Sequence, residues 1–126
     1  MANYTQINFD EIEPGPNSDG FEGRFGRKHL HSRDLGVSRW RYAAGTRSSK
    51  AHRHREQEEA YYVAAGSGRA LLDGETVALR EGDVLRVAPE VVRAFEAGAE
   101  GLELIAIGGP KPEGGDGEQA AVEWPA

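Results

Sequence analysis

The chain has 126 residues, 38% of them hydrophobic and 29% charged, with a formal net charge of -6. That composition suits one water-soluble domain with its own core, and the acidic balance argues against nucleic acid or anionic membranes as partners, since both select basic surfaces. Cysteine is absent, which excludes a disulfide framework, a thiolate nucleophile and thiolate metal ligands.

The opening stretch, MANYTQINFDEIEP, has no basic region followed by an apolar run. Nothing in the chain approaches the roughly 18 apolar residues needed to span a bilayer, so a cytoplasmic location is the default expectation. Residues 1–20 are polar and contain Pro14-Gly15-Pro16-Asn17-Ser18-Asp19-Gly20, a run that favours turns, and they read as an extension ahead of the compact part. Strands are predicted at 24–31, 37–42, 60–65, 68–73, 75–79, 84–88, 91–96 and 102–107, separated by glycine-rich punctuation. In Val37-Ser38-Arg39-Trp40-Arg41-Tyr42 the alternation sends Trp40 and Tyr42 to one face and Arg39 and Arg41 to the other. Asp73-Gly74 is a favoured hairpin dipeptide. No long segment has the 3.6-residue period of an amphipathic helix, so the fold class is all-β, a sandwich or barrel. Residues 109–118 are again rich in Gly and Pro. The barrel is therefore expected over 21–108, followed by a loose polar tail over 109–126 in which Val122 and Trp124 are possible anchors.

The densest chemistry lies between Gly45 and Gly66, where His52-Arg53-His54 is followed by Glu58 and Glu59. Two imidazoles one residue apart on a strand point the same way, about 6.5 to 7 Å apart, and can converge on one ion. Iron, manganese, nickel and zinc all accept imidazole nitrogen together with carboxylate oxygen, and a carboxylate on the next strand would complete the set. Taken alone the His-x-His pair is weak, because surface strands carry such pairs without a metal.

The pattern resembles the first motif of the cupins: a Gly, then His-x-His, then a Glu after three or four residues, then a Gly after six more. The interval from Glu59 to Gly66 matches, and that from Gly45 to His52 is one residue longer. The resemblance implies a double-stranded β-helix, or jelly-roll barrel, with His52, His54 and Glu59 facing its interior on neighbouring antiparallel strands, and it prefers Glu59 to Glu58 as the ligand. The second cupin motif runs from Gly82, but Ala88 and Glu90 replace its proline and glycine, and Arg93 replaces its third histidine. The resemblance spans roughly 37 to 107 and is similar to that of small single-domain bacterial cupins.

Arginine stays protonated and offers no lone pair, so Arg93 cannot be the third imidazole. It could form a bidentate pair with Glu59, giving a site without metal, or grip the carboxylate or phosphate of a ligand beside a metal. Tyr61 shares the parity of Glu59 and, with Trp40 and Tyr42, is either ligand wall or ordinary packing. His29 and His31 form a second His-x-His without a carboxylate at the motif spacing, and they read as surface strand residues. Arg47, Lys50, Arg53 and Arg55 surround the motif as an anion-attracting cluster or as a solvated loop. No catalytic triad signature is present.

Three functions follow. The first is a metal-dependent enzyme acting on a small polar or anionic substrate, of oxygenase or isomerase type. The second is a non-catalytic small-molecule-binding cupin without metal. The third is a dimeric accessory protein, in keeping with the homodimers common among cupins, formed by packing sheet faces or exchanging a strand at 21–31.

Overall fold

The computed structural model describes residues 3–16 and 20–125; the centre of the turn-forming run at 14–20 lies outside the described residues. After a 3-10 turn at Phe9–Glu11 come strands β1 (Phe21–Phe25), β2 (Gly36–Tyr42), β3 (Ala51–His54), β4 (Glu59–Leu72), β5 (Glu75–Arg80), β6 (Val84–Val87), β7 (Arg93–Gly108) and β8 (Gly117–Ala120). They form one antiparallel sheet that curls into a barrel.

Closure depends on β4 and β7, which pair twice. Glu59–Gly66 runs against Leu102–Gly108, and Gly68–Leu72 against Arg93–Ala97, with breaks of register between Val63 and Ala65 and between Gly66 and Gly68. Breaks of this kind bend the strand and increase its twist. Glycine is required at the bend, because a Cβ on Gly66 or Gly68 would lie 2.0 Å from the carbonyl oxygen of Gly101 or Glu96. The sequence pattern divides each long strand in two, since glycine there reads as a turn; the sheet uses it as a bend. The Asp73-Gly74 hairpin forms as expected, with both residues at positive φ, 48° and 87°, as a two-residue primed turn demands.

The strand expected at 24–31 ends at Phe25, and Arg27–Leu30 make a single helical turn, α1, closed by His31 at φ 54°. Gly26 is the cause. Its N–H donates to Val37 O at 2.8 Å, and a Cβ there would lie 2.8 Å from the same oxygen. Beyond it, the Arg27 guanidinium turns to the carbonyls of Arg33 and Gly109, so the chain leaves the sheet. His29 and His31 therefore stand on and just after a helical turn.

The polar segment after 108 supplies β8, which pairs with β3 from Ala51↔Ala120 to His54↔Gly117. Val122 and Trp124 pack beside Ala51 and Leu71, and Trp124 Nε1 donates to Ser48 O at 3.3 Å. Inside the barrel, Tyr42, Tyr61, Val63, Phe95, Leu102 and Leu104 are buried. Trp40, Tyr61 and Phe95 meet in tilted and edge-on contacts with centroids 5.4 and 4.8 Å apart, an arrangement aromatic rings favour. Trp40 carries this aromatic layer to the wall of a cavity of about 950 Å³ that opens at the barrel mouth.

Candidate metal centre

Alternation along β3 turns His52 and His54 inward and leaves Arg53 exposed, where it pairs with Glu118 at 3.3 Å. Among the described residues β3 pairs with β7 and β8, so both of its edges are taken and it does not adjoin β4. Glu59 opens β4, opposite Val87 and Gly108, and meets the histidines across the barrel interior rather than from a neighbouring strand.

His52 Nε2 and His54 Nε2 each lie 3.3 Å from Glu59 Oε1, and one donor atom from each of the three residues lies within 4.8 Å of the others. Metal bonds of about 2.0–2.2 Å place adjacent ligand atoms roughly 3 Å apart, so the observed spacing suits one ion after small adjustments. His52 shares a hydrogen bond with Glu59. His54 Nε2 approaches the same oxygen off the hydrogen-bond line and has no hydrogen-bond partner among the described residues. A buried nitrogen left in this way costs on the order of 1–3 kcal/mol, a cost that a coordinate bond would remove. Two imidazole nitrogens and a carboxylate oxygen suit iron, manganese, nickel or zinc.

Asp116 stands behind His54. Its Oδ1 is 2.9 Å from His54 Nδ1, and its Oδ2 accepts from the backbone N–H groups of Arg55, Glu56 and Gln57 at 3.1, 2.6 and 2.9 Å. Burial pushes the Asp116 carboxyl up, but these donors outweigh it and bring the pKa down to about 2. An anionic Asp116 keeps a proton on Nδ1 and reserves Nε2 for the site. The Glu59 carboxylate raises the pKa of His54, against burial and with help from Asp116, so a proton is the natural competitor for that nitrogen. Burial alone would also raise Glu59; His52, His54 and Tyr61, whose hydroxyl donates to Oε1, hold it well below the usual carboxylate range instead.

Arg93 is wholly buried, opposite His52 on β7. Its terminal nitrogens donate to the carbonyls of Ala88, Pro89 and Val87 at 3.1, 3.3 and 3.5 Å. Only the unpartnered Nε faces Glu59, 3.9 Å from Oε1. The bidentate pair with Glu59 does not form, because the fork is turned onto the chain at 87–89. A grip on a ligand would call on those same terminal nitrogens.

The structure separates the three aromatic candidates. Trp40 borders the mouth with its ring centroid 5.9 Å from that of His52, while Tyr61 lies beneath and reaches Glu59. Tyr42 is buried in the core beside Ser48, with its hydroxyl pKa pushed to about 12 by burial; it is not brought to the three donors. Arg47 is drawn off to Glu96. Asp116 is invisible to motif reasoning, since Gly114-Gly115-Asp116-Gly117 reads as linker and lies 62 residues from His54.

A curled antiparallel barrel with two inward histidines and a glutamate at its mouth has the architecture of a small single-domain cupin. The chain belongs to the cupin family, whose cupin domain model matches residues 38–108. A cupin protein from Bacteroides fragilis superposes with a TM-score of 0.74 at 25% identity, covering 89% of this chain and 88% of that one. A PAC13 variant from Streptomyces, solved with uridine, gives 0.78 at 20% identity over 96% and 93%. A sugar phosphate isomerase of the cupin superfamily from Silicibacter pomeroyi gives 0.71 at 21% identity over 85% and 76%. No curated protein sequence matches the chain.

Proposed function

We propose that this cupin is a divalent-metal-dependent enzyme that isomerises or oxygenates a small polar molecule held in the barrel mouth. The observation that carries this is the convergence of His52 Nε2, His54 Nε2 and Glu59 Oε1, with one buried nitrogen left unsatisfied. A bound divalent ion would supply Lewis acidity toward a substrate oxygen. Asp116 fixes the ring of His54, Tyr61 and His52 hold Glu59 in its ionised form, and Trp40 walls the side of the cavity. One neighbouring structure is a sugar phosphate isomerase and another was solved with uridine, and a shared fold does not by itself choose the reaction.

The test is to load purified protein with iron, manganese, nickel or zinc and measure metal content by mass spectrometry. One equivalent in the wild type, lost in His52→Ala and Glu59→Gln, is the expected result. No stoichiometric metal with any of the four overturns the proposal. A non-catalytic binder without metal is the second reading, favoured by the charge of Arg93 beside Glu59, which weakens the pull of the carboxylate on a cation. Thermal shifts by carboxylates and sugar phosphates in metal-free protein would support it.

A cytoplasmic homodimer belongs to the same proposal. Val84, Tyr62 and Ile107 are exposed on β6, β4 and β7, and β1 already has a partner in β2 of its own chain. Those observations favour packing of sheet faces over strand exchange. A monomer by light scattering at working concentration would remove the dimer.

A further inference from the structure

We propose that the mouth takes an anionic substrate, a carboxylate or phosphate ester, and that Lys28 and Lys111 hold its charged group beside the metal-binding residues. Granted that the mouth is the substrate site, as proposed above, these lysines name the substrate class.

Charge comes first. The ionisable side chains bordering the cavity, histidines aside, are Arg27, Lys28 and Lys111 against Glu59 and Asp116. Both carboxylates are already committed to internal donors, and Arg93 adds a further cation next to Glu59. Neither Lys28 nor Lys111 has a carboxylate within ion-pair distance among the described residues, whereas Arg24, Arg33, Arg39, Arg41, Arg47 and Arg53 all do. In a chain with a formal net charge of -6, free cations at the rim of the cavity are contrary to the general balance. A cleft whose uncommitted charges are of one sign concentrates ligands of the other.

The rim is also built as one unit, although its two lysines are 83 positions apart in sequence. Arg27 Nη2 donates to Gly109 O at 3.1 Å, and Gln57 Nε2 donates to the same oxygen at 3.1 Å. Helical turn α1, the start of the carboxy-terminal segment and the residue two before Glu59 thus meet at one carbonyl. Gly114 and Gly115 both take positive φ, and a Cβ on Gly115 would lie 3.1 Å from Lys111 Cε. The Lys111 side chain therefore crosses that turn next to Asp116, on the His54 side of the mouth. A divalent ion in the centre would only add to the positive potential.

Calorimetric titration with inorganic phosphate and with malonate, at constant ionic strength, on metal-free and zinc-loaded protein tests this. At least one anion should bind the metal-free protein at millimolar concentration, and Lys28→Ala combined with Lys111→Ala should weaken it roughly tenfold. Arg80→Ala, which removes an exposed cation away from the mouth, should leave it unchanged. Both lysines are exposed, so an unaltered thermal unfolding profile will show that the double variant is folded. Binding of phosphate alone assigns a phosphate ester, and binding of malonate alone assigns a carboxylate. No anion binding to either form, or binding indifferent to the two lysines, overturns the proposal. Lysine-dependent anion binding without zinc binding would sustain it while sinking the metal-dependent function; zinc binding without lysine-dependent anion binding would do the reverse.

Discussion

Arg39 and Arg93 are both buried, and each has an Nε–H that no acceptor among the described residues meets, yet they sit in clusters of opposite kind. Arg39 contacts Asp10 at 3.0 Å and Glu22 at 3.9 Å, Glu22 is also held by Arg24 at 2.9 Å, and the Phe9 ring lies 5.4 Å away. Two guanidinium groups meet two carboxylates, and the result fastens residues 9–12 to the barrel. Around Arg93 a single carboxylate, Glu59, serves two imidazoles and a phenol, while the guanidinium is spent on carbonyl oxygens. An orphaned buried N–H by itself therefore marks no site. A cluster whose charges cancel is a fastening; one whose nitrogens converge on a shared carboxylate beside a cavity can do chemistry.

The largest effect is expected from Glu59→Gln, which keeps the shape and removes the charge. Zinc affinity should fall by more than about a hundredfold by calorimetry, whereas Asp10→Asn should leave zinc binding intact; equal losses would dissolve the distinction between the clusters. Next comes stability. Arg93→Met strands the carbonyls at 87–89 in the interior and should cost about 3 kcal/mol in urea unfolding, against about 1 kcal/mol for Arg39→Met at the barrel's outer side.

Asp116→Asn should then weaken zinc binding by about tenfold to a hundredfold, because it loosens the tautomer and orientation of His54. An affinity equal to that of wild type would reduce Asp116 to a purely structural tie. The smallest effect concerns acid. Arg39 holds Asp10, and Arg24 holds Glu22, below their ordinary values of 3.8 and 4.5. Because the folded pKa values are depressed, the stabilisation is present above those values and is lost as pH falls below them. The difference in urea midpoint between wild type and Asp10→Asn should be small at pH 7 and shrink as pH falls below 3.8; a difference that grows in acid would contradict the pairing.

Much of this was legible in the chain. Alternation placed Trp40 and Tyr42 inward, Asp73-Gly74 marked its hairpin, and the intervals among His52, His54, Glu59 and Gly66 marked both the barrel and the three donors that meet at its mouth. Each of these is a local regularity, set by the two-residue period of a strand or by the φ preference of glycine. The misjudged places were also local in origin. Gly66 and Gly68 read as turns because the carbonyls they must clear, on Gly101 and Glu96, lie far along the sequence, and the strand at 24–31 broke at Gly26 for the same kind of reason.

By itself, the sequence determined the β architecture, the family resemblance and which two histidines and glutamate meet at the mouth, because these depend on neighbours a few residues apart. Only the tertiary structure decided that Asp116 stands behind His54, that the fork of Arg93 turns to 87–89, and that Lys28 and Lys111 share one rim. Those juxtapositions are produced by β8 closing on β3 and by Arg27 and Gln57 meeting at the Gly109 carbonyl. Such long-range closures leave no periodic trace in the order of residues.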